Sequence, residues 1–142
     1  MRFLIIRRAD ADTEAGRPAS EELVEAMARY NEELVRAGVL LDAAGLAPSS
    51  AGAIVEFSGG RATVIDGPFA EAKELIAGYT MVRADSLQEV VELVKRWPTL
   101  DGGGNVEIEI RRIGETDEYD MSDELKEKEH QMRAQAEANR GE

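Results

Sequence analysis

Residues 1–8, Met1-Arg2-Phe3-Leu4-Ile5-Ile6-Arg7-Arg8, decide the fold. Read with a period of two, Phe3, Ile5 and Arg7 share one face while Leu4 and Ile6 share the other, so the segment is a strand with apolar side chains on both sides. Such a strand needs a cover on each face. Outward from it, Ala9 to Pro18 reads as a polar loop, and Ser20 before Glu21 and Glu22 reads as a helix cap with acids in the first turn. Leu23, Met27, Tyr30 and Leu34 then fall on one helical face, and Gly38 ends the helix. Val39 to Leu41 resumes an extended stretch. Gly45, Pro48 and Gly52 punctuate a loop before a strand at Ala53 to Phe57, and Ser58, Gly59 and Gly60 turn it back into Arg61 to Ile65.

Asp66-Gly67-Pro68 is a breaker, so Phe69 to Leu75 has room only for a short helix before a strand at Gly78 to Val82. Ser86-Leu87-Gln88-Glu89 predicts a capping box, and Leu87, Val90, Val91, Val94 and Trp97 form the stripe of a second long helix that Pro98 stops. Asp101 to Gly104 is a flexible turn. Val106, Ile108 and Ile110 alternate with Glu107, Glu109 and Arg111, as in a strand with one wet face. The order predicts an α+β fold, a ferredoxin-like βαββαβ sandwich with extra strands in which helices cover one face of an antiparallel sheet. A second copy of the chain is the expected cover for the other face, which makes the protein a homodimer.

The 142 residues suffice for one domain, and 29 acidic against 17 basic side chains give a net charge of −12. That charge repels phosphate, so neither nucleic acid nor an anionic membrane is an expected partner. No cysteine is present, which removes disulfides, thiolate metal sites and cysteine nucleophiles. The N-terminal apolar stretch Phe3 to Ile6 is too short for a signal peptide, and a cytoplasmic protein is expected. His130, the one histidine, lies among charged residues far down the chain. Asp10, Asp12 and Glu14 alternate without the glycine and terminal glutamate of a calcium loop, and Asp101-Gly102-Gly103-Gly104 precedes a strand where a phosphate-cradling turn precedes a helix. No metal and no cofactor is expected. Residues 1–114 read as the domain, and 115–142, with ten acids and four bases, read as an acidic extension that Ser122 caps into a helix towards Asn139.

The stretch Asp66-Gly67-Pro68-Phe69-Ala70-Glu71-Ala72-Lys73-Glu74, followed by Gly78-Tyr79, resembles the signature of the DGPF domain, a branch of the YCII-related superfamily. The likeness extends to Tyr30-Asn31-Glu32-Glu33-Leu34, Gly45-Leu46, Ser86-Leu87, Arg96-Trp97-Pro98 and the strand Gly104 to Arg111, and so covers residues 1–113. It implies the dimeric α/β-barrel variant of the ferredoxin-like fold. Some YCII-related enzymes pair a histidine on the first helix with an aspartate, but that helix carries Tyr30 and Asn31 here, so the dyad's chemistry does not transfer. Genes of DGPF proteins often neighbour those of extracytoplasmic-function sigma factors, which implies an alternative regulatory role with the acidic tail as the contact.

Two readings of the motif stand side by side. In the structural one, Gly67 allows close backbone approach, Pro68 fixes a first helical turn, Asp66 caps it and Phe69 plugs the core. In the functional one, Asp66 sits at the mouth of a cleft between sheet and helix, desolvated by Phe69 and acting as general base, while Tyr79 orients a substrate and Lys73 holds its negative charge. A small carboxylated ligand would suit Lys73 together with Arg7, Arg8 and Arg61. Whether that cleft catalyses a reaction or only binds stays open at this point.

Overall fold

A computed structural model describes residues 1–141, the side chain of Lys73 excepted. Its elements are β1 (Arg2–Arg8), α1 (Ala11–Glu14), α2 (Glu21–Arg36), β2 (Leu40–Gly45), β3 (Ala53–Ser58), β4 (Arg61–Asp66), β5 (Ile76–Arg83), α3 (Leu87–Val94), β6 (Ile108–Arg112) and α4 (Asp123–Arg140). Single 3-10 turns occur at Ser49–Ala51, Ala72–Glu74, Asp101–Gly104 and Thr116–Glu118. The four-stranded sheet runs β2-β5-β1-β6, and every neighbouring pair is antiparallel. With β3 and β4 set aside, this is the strand order of a ferredoxin-like βαββαβ sandwich, so the predicted fold class holds. β3 and β4 form the extra strands, a separate two-stranded ribbon inserted between the second and third strands of the sheet.

β1 lies inside the sheet, paired with β5 from Arg2↔Arg83 and with β6 from Phe3↔Arg112. Phe3 and Ile5 are 1% exposed and Arg7 is 8% exposed, all on one face, and Val82 joins them from β5. α2 brings Tyr30 and Leu34 to that face and α3 brings Val90, which completes the core. Both helices begin as predicted. Ser20 Oγ accepts from the Leu23 amide at 3.1 Å and Ser86 Oγ accepts from the Glu89 amide at 3.2 Å. The reciprocal half of the expected box at Ser86 is displaced by one residue, because the Glu89 carboxylate accepts from the amide of Asp85. The opposite sheet face carries Leu4, Ile6, Tyr79 and Met81, since successive strand residues alternate between faces.

Three local readings need correction. The short helix expected over Phe69 to Leu75 is a single 3-10 turn at Ala72–Glu74 that does not begin at Pro68, and its cap position is Glu71, while Asp66 ends β4. The polar loop after β1 contains α1, capped by Asp10, which exchanges hydrogen bonds with Thr13. The turn at Asp101 is not loose either, because Asp101 is 7% exposed.

The chain divides into two units, Met1–Arg112 and a second from Ile113 onward. In the second, Ser122 Oγ accepts from the Leu125 amide at the head of α4, an 18-residue helix with no buried residue. His130 Nε2 lies 3.5 Å from Asp117 Oδ1 within the same unit. Among the described residues no helix is long and apolar enough to cross a membrane.

Candidate functional site

The side chain of Arg7 emerges from β1 into the layer between sheet and helices, where an unpaired guanidinium would be costly. It is fully engaged there. Nε and Nη2 donate to Asp101 Oδ2 and Oδ1 at 3.1 and 2.7 Å, and Nη1 donates to the Arg8 carbonyl at 2.7 Å and lies 3.2 Å from Asp10 Oδ2. Asp101 also accepts from Trp97 Nε1 at 2.9 Å. Burial pushes the Asp101 carboxyl up, yet the hydrogen bonds from Arg7 and Trp97 and the Arg7 charge outweigh it and hold the group below the ordinary carboxylate range. The same bond to Asp101 raises Arg7 against the opposing effect of its burial. Trp97 lies edge-on to Tyr30 with ring centroids 5.5 Å apart, and the Tyr30 hydroxyl donates to the Leu93 carbonyl at 2.7 Å. Burial drives the Tyr30 phenol up to about 12, so it acts as a neutral donor.

This framework forms the wall of a cavity of about 560 Å³ between α2 and the β2-β5 side of the sheet. Leu23, Met27 and Asn31 line it from α2, and Ala43, Thr80 and Trp97 face them. Its surface is mainly apolar, and the charged residues on it among the described ones, Arg7 and Asp101, are bonded to each other. Trp97, on the predicted stripe, packs against the core as expected and also walls the cleft, from a position beyond the end of α3.

The motif residues are dispersed. Gly67 donates its amide to the Gly52 carbonyl at 3.0 Å, and a β-carbon at this position would overlap the Ser49 carbonyl. Glycine is needed there for close approach, as the structural reading holds. The Gly67–Pro68 bond is cis. Phe69 donates its amide to Ser49 Oγ at 3.0 Å, and Ser49 in turn donates from its amide and hydroxyl to the Glu14 carboxylate at 2.9 and 2.6 Å. Phe69 lines a smaller cavity of about 360 Å³ with Glu14, Pro48 and Leu75. Asp66 lines neither cavity and is exposed. Tyr79 is among the residues that border the cleft, but strand alternation sets its side chain on the sheet face opposite Thr80, and its hydroxyl donates to Asp42 Oδ2 at 3.2 Å. Lys73's side chain lies outside the described residues.

Of the charged groups expected to draw a carboxylate, Arg7 is held by Asp101, Arg8 pairs with Glu109, and Arg61 is at the exposed end of the ribbon. Among the described residues no group of three or more His, Asp or Glu is arranged to hold a metal ion. Asp101 escaped sequence reasoning because three glycines follow it. The available signal was Arg7 on the inward face of β1, which demands a buried acid.

The YCII-related domain model matches residues 1–114. The chain belongs to the YCII-related domain family. Among curated proteins, an uncharacterized protein of Rhizobium meliloti (strain 1021) is 33% identical to this YCII-related chain over 75 residues, 53% of this chain and 60% of that protein. The match therefore spans about three fifths of the relative's length. Among solved structures, a 5-chloro-2-hydroxyhydroquinone dehydrochlorinase from Burkholderia phenoliruptrix AC1100, in complex with 2,5-dihydroxybenzoquinone, is similar at 18% identity and a TM-score of 0.43. That likeness covers 80% of this chain and 96% of the other, and at this level it carries no argument about chemistry.

Proposed function

We propose that this YCII-related protein works as a homodimer that binds a small molecule in the cleft between α2 and the sheet. The observation that supports it is a mainly apolar cavity of about 560 Å³ with one wall fixed by the bonds among Arg7, Asp101 and Trp97. A wall held in this way keeps its shape without a ligand, which lowers the ordering cost of binding. Because Arg7 is neutralised by Asp101 and Asp10, the favoured ligand is neutral and largely apolar, in place of the carboxylate suggested by the basic residues alone. With no uncommitted charged side chain on its wall among the described residues, the cleft suits binding better than general acid-base catalysis. Asp66 is better suited to a support role at the base of the β3–β4 ribbon than to proton transfer in this cleft.

Trp97, the one tryptophan, reports on the cleft directly. A screen of neutral metabolites should yield compounds that change Trp97 fluorescence and raise the thermal midpoint, and Ala28→Phe on the cleft wall should abolish both effects. Hits that bind the Ala28→Phe protein with full affinity would move the site elsewhere. A second reading, contact with a protein partner through the acidic tail, draws support from α4, which has no buried residue.

A further inference from the structure

The β3–β4 ribbon is the least explained part of the molecule. Every residue from 53 to 66 is exposed, and neither strand lies on the sheet or on a helix. The pairing register sorts its side chains. Ala53, Val55 and Phe57 share one face with Ala62 and Val64, a surface with no charge until Asp66 at the base. The other face carries Ile54 and Ile65 at the base and then Glu56, Thr63, Ser58 and Arg61. This alternation is that of a strand pair packed on one side and wet on the other. Yet Val55, Phe57 and Val64 are 53%, 71% and 62% exposed. An isolated two-stranded hairpin is marginal in water, and an apolar face of this kind on an edge invites association.

We propose that the ribbon is an arm whose Val55–Phe57–Val64 face docks on a second copy of this chain. The inference rests on the homodimer proposed above and names the surface that holds it. At these exposures the face presents on the order of 400 Å², so two arms supply about half of the roughly 1,600 Å² buried in a standard interface. The second face of the main sheet, with Leu4, Ile6 and Met81, is available to supply the rest. A two-fold pair of identical chains covers both apolar faces with one operation, whereas an unrelated partner on the arm leaves the sheet face bare. The turn is built to project the arm, since Gly59 and Gly60 at φ 57° and 80° make the tight reversal that matches strand twist.

Sedimentation of the full chain at 10–100 µM should give twice 15.5 kDa, and Phe57→Glu combined with Val64→Glu should raise the dimer dissociation constant at least tenfold, with Thr63→Glu on the wet face as the unchanged control. A wild-type monomer would sink the dimer and the arm together. A dimer that the double variant leaves intact would sink the arm alone. Should the double variant misfold by circular dichroism, Phe57→Cys gives the chain its one thiol for a photocrosslinker. In mixed isotope-labelled and unlabelled protein, crosslinks between differently labelled chains are expected, and crosslinks confined to single chains overturn the proposal.

Discussion

One carboxylate, that of Asp101, joins β1, through Arg7, to the segment after α3, through Trp97. Removing Asp101 takes two charge-assisted hydrogen bonds from Arg7 and leaves it Asp10 and the Arg8 carbonyl, so Asp101→Ala should cost about 2–3 kcal/mol in denaturant unfolding. Its folded pKa is depressed. The stability it contributes is therefore present above the unfolded value of about 3.9 and is lost as pH falls through the lower folded value. An acid titration of wild type should show that loss below about pH 4, and Asp101→Asn should flatten it. Gly67 makes a second test. Because a β-carbon there overlaps the Ser49 carbonyl, Gly67→Ala should lower stability by about 2 kcal/mol or more, whereas Asp66→Asn, at an exposed strand end, should stay within about 0.5 kcal/mol.

Among the elements, α2 was the most legible from sequence, since Tyr30 and Leu34, both on the stripe at Leu23, Met27, Tyr30 and Leu34, are its buried residues. The cap at Ser20 was equally plain, and Ser20→Ala should cost about 1 kcal/mol by thermal denaturation. The segment after Pro68 was misread for a physical reason. A proline signals either the first turn of a helix or a chain reversal, and local sequence does not reveal that the Phe69 amide goes to Ser49 Oγ, twenty residues upstream. The candidate site was legible only in part: Tyr79 and Phe69 are half-buried but serve different surroundings, and the cleft takes its walls from Met27, Thr80 and Trp97. No short-range pattern announces a cavity between a helix and a sheet edge.

At the scale of the whole molecule, every residue of the hydrophobic core lies between Phe3 and Ile110. Deleting residues 115–142 should therefore leave the thermal midpoint within a few degrees in calorimetry. A drop of ten degrees or more would show that the acidic extension takes part in the fold. The deletion also removes six of the twelve net negative charges, so the shortened protein should elute from an anion exchanger at markedly lower salt.

The place of β1 sets a timetable for synthesis. Its two neighbours in the sheet are β5, which begins at Ile76, and β6, which begins at Ile108. At roughly 5–20 residues per second, the strand Phe3-Leu4-Ile5-Ile6 waits several seconds after it is made before its first partner exists, and longer before its second. Through that interval an apolar segment with unpaired amides is open to other nascent chains. Crowded polysomes and rapid overexpression should therefore favour aggregation nucleated at the N-terminus, and slower elongation between residues 9 and 75 should worsen the yield of folded protein.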